Sequence, residues 1–167
     1  MADWITFREA PSLQSMELPL DILVVDDNST DLLFFGRAAR NTHLNIRLQT
    51  LSAGQQAIDY LSAKGEYGDR SKYPWPDLII LDLKMPEING FDFLAWRKAS
   101  ALFSSIPVII LSGSSEPSDI KRIFELGADD HIVKPAGLDE WEKVVRDVWE
   151  FGKQNTPLTR PKESEPG

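Results

Sequence analysis

The chain is predicted to be an α/β protein with a doubly wound, five-stranded parallel sheet. Two observations carry this reading. Asp21-Ile-Leu-Val-Val-Asp26, Leu78-Ile-Ile-Leu81 and Val108-Ile-Ile-Leu111 are short apolar runs bounded by polar residues, the pattern of strands buried on both faces. Between them lie stretches with helical spacing of apolar residues, so β and α alternate along the chain. Strands are expected at about 20–26, 45–50, 77–82, 107–111 and 130–133. Helices are expected at about 29–41, 53–64, 91–102, 117–126 and 138–152. Ser52-Ala-Gly-Gln55 and Asp139-Glu-Trp-Glu142 resemble capping boxes, Pro117 suits a first helical turn, and Gly127 suits a C′ stop.

The core accounts for residues 20–152. Residues 1–19 form an N-terminal arm whose Trp4, Ile5 and Phe7 are costly to leave in water, so they pack on the domain or on a partner. Residues 153–167 carry Pro157, Pro161 and Pro166 with a single aliphatic, Leu158, and read as a flexible tail. Residues 65–76 form a turn-rich loop with three aromatics, long for a helix-to-strand connection.

A chain of 167 residues suits one domain. With no cysteine, disulfides, thiolate metal sites and cysteine nucleophiles are excluded together. Lys and Arg number 18 against 26 Asp and Glu, a net charge of −8, which repels a nucleic-acid backbone and argues against direct binding to it. The apolar runs are far shorter than the roughly 20 residues of a membrane span, and the N-terminus lacks the charged-then-apolar layout of a secretory signal. A cytoplasmic protein without membrane contact is the expectation.

In such a sheet, chemistry collects beyond the carboxyl ends of the strands. There the sequence places Asp26-Asp27-Asn28, Asp82-Leu-Lys-Met-Pro86, Ser112-Gly-Ser114 and Lys134-Pro135. Three carboxylates on one rim repel each other, by roughly 4 kcal/mol per pair about 4 Å apart at an effective dielectric near 20, and call for a cation. Oxygen ligands without Cys or His favour Mg²⁺. With Lys134 as a second positive charge, the site suits a phosphoryl group arriving at an Asp carboxylate, and Ser112 offers a hydroxyl to one phosphoryl oxygen.

These residues resemble the receiver domains of bacterial two-component response regulators. Asp26-Asp27 match the acidic pair, Leu81-Asp82 through Met85-Pro86 to Gly90 the phosphoacceptor and its loop, Leu111-Ser112 the hydroxyl position, and Val133-Lys134-Pro135 the lysine motif. The intervals of 30 residues from Asp82 to Ser112 and 22 from Ser112 to Lys134 agree with the family. The resemblance implies a flavodoxin-like (βα)5 fold with strand order 2-1-3-4-5. It implies that Asp82 accepts the phosphoryl group and ligates Mg²⁺ with Asp27 and the Lys84 backbone carbonyl, while Asp26 assists through water. Lys134 would pair with Asp82 and then with the phosphoryl group, Ser112 would act as a switch, and Lys134-Pro135 would be a cis peptide.

At the position of the family's usual Tyr or Phe switch stands His131, either a rotamer switch with a titratable ring or a plain strand residue. Leu61 to Leu83, with its long loop, resembles the small stand-alone regulators of phytochrome-type histidine kinases, and a solvated surface loop is the alternative. The last helix carries Leu138, Trp141, Val144, Val145, Val148, Trp149 and Phe151 over about 160° of its circumference, more than one sheet face requires. Trp141, Val145, Val148 and Trp149 are therefore candidates for a homodimer interface with the fourth helix and fifth strand; the alternative is that Trp149 and Phe151 merely pack against the N-terminal arm. The function implied is a single-domain regulator, phosphorylated by a partner sensor histidine kinase and signalling through a changed surface. The alternatives are a non-switching adaptor and an aspartyl-phosphate phosphatase, the latter disfavoured because Lys84 stands where such enzymes carry an acid.

Overall fold

The computed structural model describes residues 5, 6 and 18–156. Most of the expected arm, including Trp4 and Phe7, lies outside the described residues, as does the tail from 157 onward.

A six-stranded sheet runs in the order β1-β3-β2-β4-β5-β6. Its five parallel strands are β2 (Leu20–Val25), β3 (Ile46–Leu51), β4 (Leu78–Leu81), β5 (Val108–Ser112) and β6 (Asp130–Val133). Numbered among themselves, they stand in the expected order 2-1-3-4-5. The sixth is a two-residue strand, β1 (Ile5–Thr6), antiparallel to β3 with Ile5 opposite Leu48. Part of the arm therefore lies on the domain. So short an apolar stretch has too little pattern to read as a strand.

Five helices follow the parallel strands: α1 (Ser29–Asn41), α2 (Gly54–Leu61), α3 (Gly90–Lys98), α4 (Pro117–Glu125) and α5 (Leu138–Asn155). The period-two alternation of the strands splits the core. Leu23, Val25, Ile79, Leu81, Val108 and Ile110 face α2, α3 and α4. Ile22, Val24, Leu78, Ile80, Ile109 and Leu111 face α1 and α5. Full burial of side chains of this size contributes roughly 1.5–3 kcal/mol each, which makes the sheet a rigid platform for its rim.

The interface residues expected on the last helix are mostly core. Trp141, Val144, Val145 and Val148 are buried, and Trp149 and Phe151 pack partly buried on the same cluster. The stripe is broad because α5 packs against α1 as well as the sheet, with Trp141 meeting Phe34 and Phe35 at 6.3 and 6.5 Å between ring centroids. The helix also continues to Asn155, so residues 153–155 belong to it and not to the tail.

Pro117 opens α4 and Gly127, at φ +94°, ends it in the left-handed conformation glycine tolerates. Neither expected capping box forms: α2 and α5 have Ala53 and Gly137 at the N-cap, without side-chain bonds. Gln56, not Gln55, reaches back to the Ser52 N–H at 3.0 Å, while Gln55 bonds Asp59. The long loop is packed, with Tyr67 and Tyr73 buried against Tyr60. Arg70 stacks 4.1 Å over the Trp75 ring and donates to the carbonyls of Leu61 and Tyr73, which rules out a merely solvated loop.

Candidate functional site

Each site residue stands at or just past the end of a parallel strand. Asp26 and Asp27 follow β2, Asp82 follows β4, Ser112 ends β5, and Lys134 follows β6. Pairing of Val25 with Leu81, Leu81 with Ile110 and Ser112 with Val133 aligns these ends in register. Backbone bonds from Asp82 N–H to the Val25 carbonyl (3.0 Å) and from Lys134 N–H to the Ser112 carbonyl (2.9 Å) extend that alignment beyond the strands.

Carboxylate oxygens of Asp26, Asp27 and Asp82 come within 4.8 Å of one another. Asp26 and Asp82 are buried and Asp27 is exposed. Burial first, and then the charge of Asp26, push the Asp82 carboxyl up to about 6 against the opposing pull of Lys134 and the Leu83 N–H. Asp26 is also raised, by burial, despite its bonds from Lys134 and the Asn28 N–H. Three hard oxygen donors whose negative charge is under-compensated fit a divalent cation such as Mg²⁺. Lys84 lies in the loop after Asp82 with its side chain exposed.

Lys134 pairs with Asp82 as expected, and more closely with two further acids. Its Nζ lies 2.7 Å from Asp26 Oδ2 and 2.8 Å from Asp31 Oδ2, but 3.4 Å from Asp82 Oδ2. Burial would pull this ammonium down, yet its bonds to Asp26 and Asp31 hold it above its ordinary value. Asp31 escaped the sequence reading because it sits inside the first helical turn and not at a strand end. The Lys134–Pro135 bond, expected to be cis, is trans, as is every described peptide bond. Trans is the preferred form of a prolyl amide by about 0.5–1 kcal/mol.

Ser112 is buried, and its Oγ accepts from the Ser114 N–H at 3.3 Å; the Ser114 hydroxyl in turn donates to Asp119 Oδ2 at 2.9 Å. His131 stands on β6, half-buried, with a buried Nε2 that has no hydrogen-bond partner.

The loop after Asp82 is shaped by Gly90. A Cβ there would meet the Asp82 carbonyl oxygen at 2.6 Å and the Leu83 Cα at 2.8 Å, while the Gly90 N–H donates to the Leu83 carbonyl at 2.9 Å. Asn89 and Asp92 close a capping box around this helix start. Gly90→Ala is therefore expected to cost about 1–3 kcal/mol in urea denaturation, by forcing the backbone next to Asp82 to move.

Comparison with known proteins agrees with this geometry. The chain is similar to the response regulator Rcp1 of Synechocystis sp., 29% identical over 140 residues, 84% of this chain and 93% of that one. The Mn²⁺-bound form of Rcp1 superposes with a TM-score of 0.74 at 28% identity, covering 85% and 100% of the two chains. The phosphorylated cyanobacterial phytochrome response regulator RcpA gives a TM-score of 0.75 at 32% identity, covering 85% and 99%. The bacteriophytochrome response regulator AtBRR gives 0.64 at 34%, covering 80% and 94%. With acids, hydroxyl and lysine gathered on one rim of this sheet, and the response regulator receiver domain matching residues 22–146, the chain belongs to the response regulator receiver family.

Proposed function

We infer that this protein is a response regulator whose Asp82 takes a phosphoryl group from the phosphohistidine of a partner sensor histidine kinase. The observation that carries the reading is the gathering of Asp26, Asp27, Asp82 and Lys134 at one sheet rim. In the transfer, an Asp82 carboxylate oxygen forms the new bond to phosphorus, and the histidine nitrogen leaves with the electron pair of the broken N–P bond. Asp82 is suited to this because, with its carboxyl near 6, it is mostly ionised at neutral pH. Asp27, Asp82 and the Lys84 carbonyl would hold Mg²⁺, with Asp26 linked through water, and the ion would offset charge on the transferring oxygens. Lys134 is close enough to turn toward the new phosphoryl oxygens.

Ser112 would give up the Ser114 N–H and donate to a phosphoryl oxygen, drawing the β5–α4 loop inward. His131, whose ring nitrogen lacks a partner, would then reorient. A phosphoryl group shifts the population only by its differential stabilisation of the two forms. The surface that changes is the face of α4, β6 and α5, where Phe124, Val133 and Leu138 are about half exposed. A second copy of this chain is the occupant proposed for that face. A phytochrome-type kinase in the cytoplasm is the partner proposed, by likeness to RcpA and AtBRR. Residues 20–155 are the proposed receiver unit.

The test is intact-mass spectrometry after incubation with acetyl phosphate and Mg²⁺, with light scattering on the same samples. A hydrolysable gain of one phosphoryl group supports the reading. Its absence, both here and with a phytochrome-type kinase as donor, would leave a non-switching adaptor. Asp27→Ala is expected to weaken Mg²⁺ binding at least about tenfold in isothermal calorimetry; an unchanged titration would remove Asp27 from the metal shell.

A further inference from the structure

Two helices of this protein begin with the same pair of residue types. In α3, Asn89 at the N-cap receives the Asp92 N–H at 2.9 Å, and the Asp92 carboxylate receives the Asn89 N–H at 3.2 Å, closing the box. In α1, the Asn28 side chain likewise accepts from the Thr30 and Asp31 N–H groups at 3.0 and 3.2 Å. The box does not close, because the Asn28 N–H is taken by Asp26 Oδ1 at 2.9 Å. The Asp31 carboxylate, relieved of its capping duty, turns to Lys134 at 2.8 Å.

The consequence falls on Lys134. Its bonds to Asp26 and Asp31 have the length of charge-assisted hydrogen bonds, about 2.7–2.9 Å, whereas the 3.4 Å to Asp82 does not. When Asp82 carries a phosphoryl group, Asp31 competes with it for the same ammonium and adds one negative charge beside it. Building on the receiver function proposed above, we propose that Asp31 is a positioning residue that holds Lys134 back from Asp82 and thereby lowers the affinity of the site for a phosphoryl group.

Charge and shape can be separated with Asp31→Asn, which keeps the size of the side chain. Removing one negative charge should move two affinities in opposite directions. Mg²⁺ alone should bind about threefold more weakly, and beryllofluoride, a phosphoryl mimic, should bind about fivefold more tightly at saturating Mg²⁺. Both are read by isothermal calorimetry on the full chain. Asp147→Asn is the control, since it removes an exposed helical acid paired with Lys143 without touching Lys134; both affinities should stay at the wild-type values. A purely structural role for Asp31 would weaken both ligands together or neither. Either result, like a beryllofluoride affinity unchanged in Asp31→Asn, overturns the proposal. Failure of the wild-type chain to bind beryllofluoride with Mg²⁺ would instead overturn the receiver function on which it rests.

Discussion

Asp82→Asn is expected to abolish incorporation of a phosphoryl group and to raise the stability of the metal-free fold at neutral pH. The first effect follows from chemistry: an amide oxygen is a poor nucleophile and leaves no acyl phosphate, so intact mass should show no gain with acetyl phosphate and Mg²⁺. Undiminished labelling would place the acceptor elsewhere. The second follows from electrostatics. Burial and the neighbouring Asp26 charge push the Asp82 carboxyl up to about 6, so between about pH 4 and 6 the folded chain keeps a proton that the unfolded chain has released. That contribution to stability is fully present below pH 3.8 and is lost as pH rises through 6, by about 3 kcal/mol at the upper limit. Above pH 7 the wild-type protein carries the under-compensated charge and the Asn variant does not. Thermal melting at pH 7.5 without metal should give a higher Tm for Asp82→Asn, and millimolar Mg²⁺ should narrow the gap by stabilising the wild type more than the variant. Equal melting temperatures without metal would show that the three carboxylates do not strain the fold.

The parallel sheet was legible because its strands are buried on both faces and so read as unbroken runs such as Leu78-Ile-Ile-Leu81. Strand-end acids were legible for the same reason, since where a run stops its next residue lies on the rim. What escaped the sequence depends on which partner wins a shared group. Asp31 reads as an ordinary first-turn acid until Asp26 takes the Asn28 amide and frees it. Ser52-Ala-Gly-Gln55 has the spacing of a capping box, yet Gln56 makes the bond because the helix starts at Gly54, one position later than expected. The broad stripe on α5 suggested an outside partner, but α1 covers it. The long loop showed its aromatics in the sequence, while Arg70, the residue that ties Trp75 to the Leu61 and Tyr73 carbonyls, looked like any surface cation.

Arg97 is the strongest case of such a concealed residue, and its replacement is expected to carry a large loss of stability. It stands in the last turn of α3, where a basic residue normally faces water and the helix dipole, yet it is only 3% exposed. Its Nε donates to the Ile106 carbonyl at 3.0 Å, Nη2 to Ser104 at 3.0 Å, and Nη1 to Gly127 at 3.2 Å. Asp129 lies 3.7 Å away and also receives the Val108 N–H at 2.8 Å. One guanidinium thus joins α3, the entrance to β5 and the C-terminal stop of α4. Burial lowers its pKa, but the fan of carbonyls and Asp129 suits the charged form. Arg97→Met keeps the apolar stem and deletes the donors, leaving several carbonyls without their partner at about 1–3 kcal/mol each where no water reaches them. A loss of about 3–5 kcal/mol in urea denaturation is expected. Arg97→Lys should recover little of it, because one ammonium cannot span the planar fan. This clamp also sets where α4 is able to move. It holds the C-terminal end of the helix, whereas the N-terminal end is tied by the lighter bond between Ser114 and Asp119. If the α4 surface responds to Asp82, amide exchange on adding beryllofluoride and Mg²⁺ should change at residues 113–119 and stay constant at 126–129. The reverse pattern would place the hinge at the opposite end of the helix.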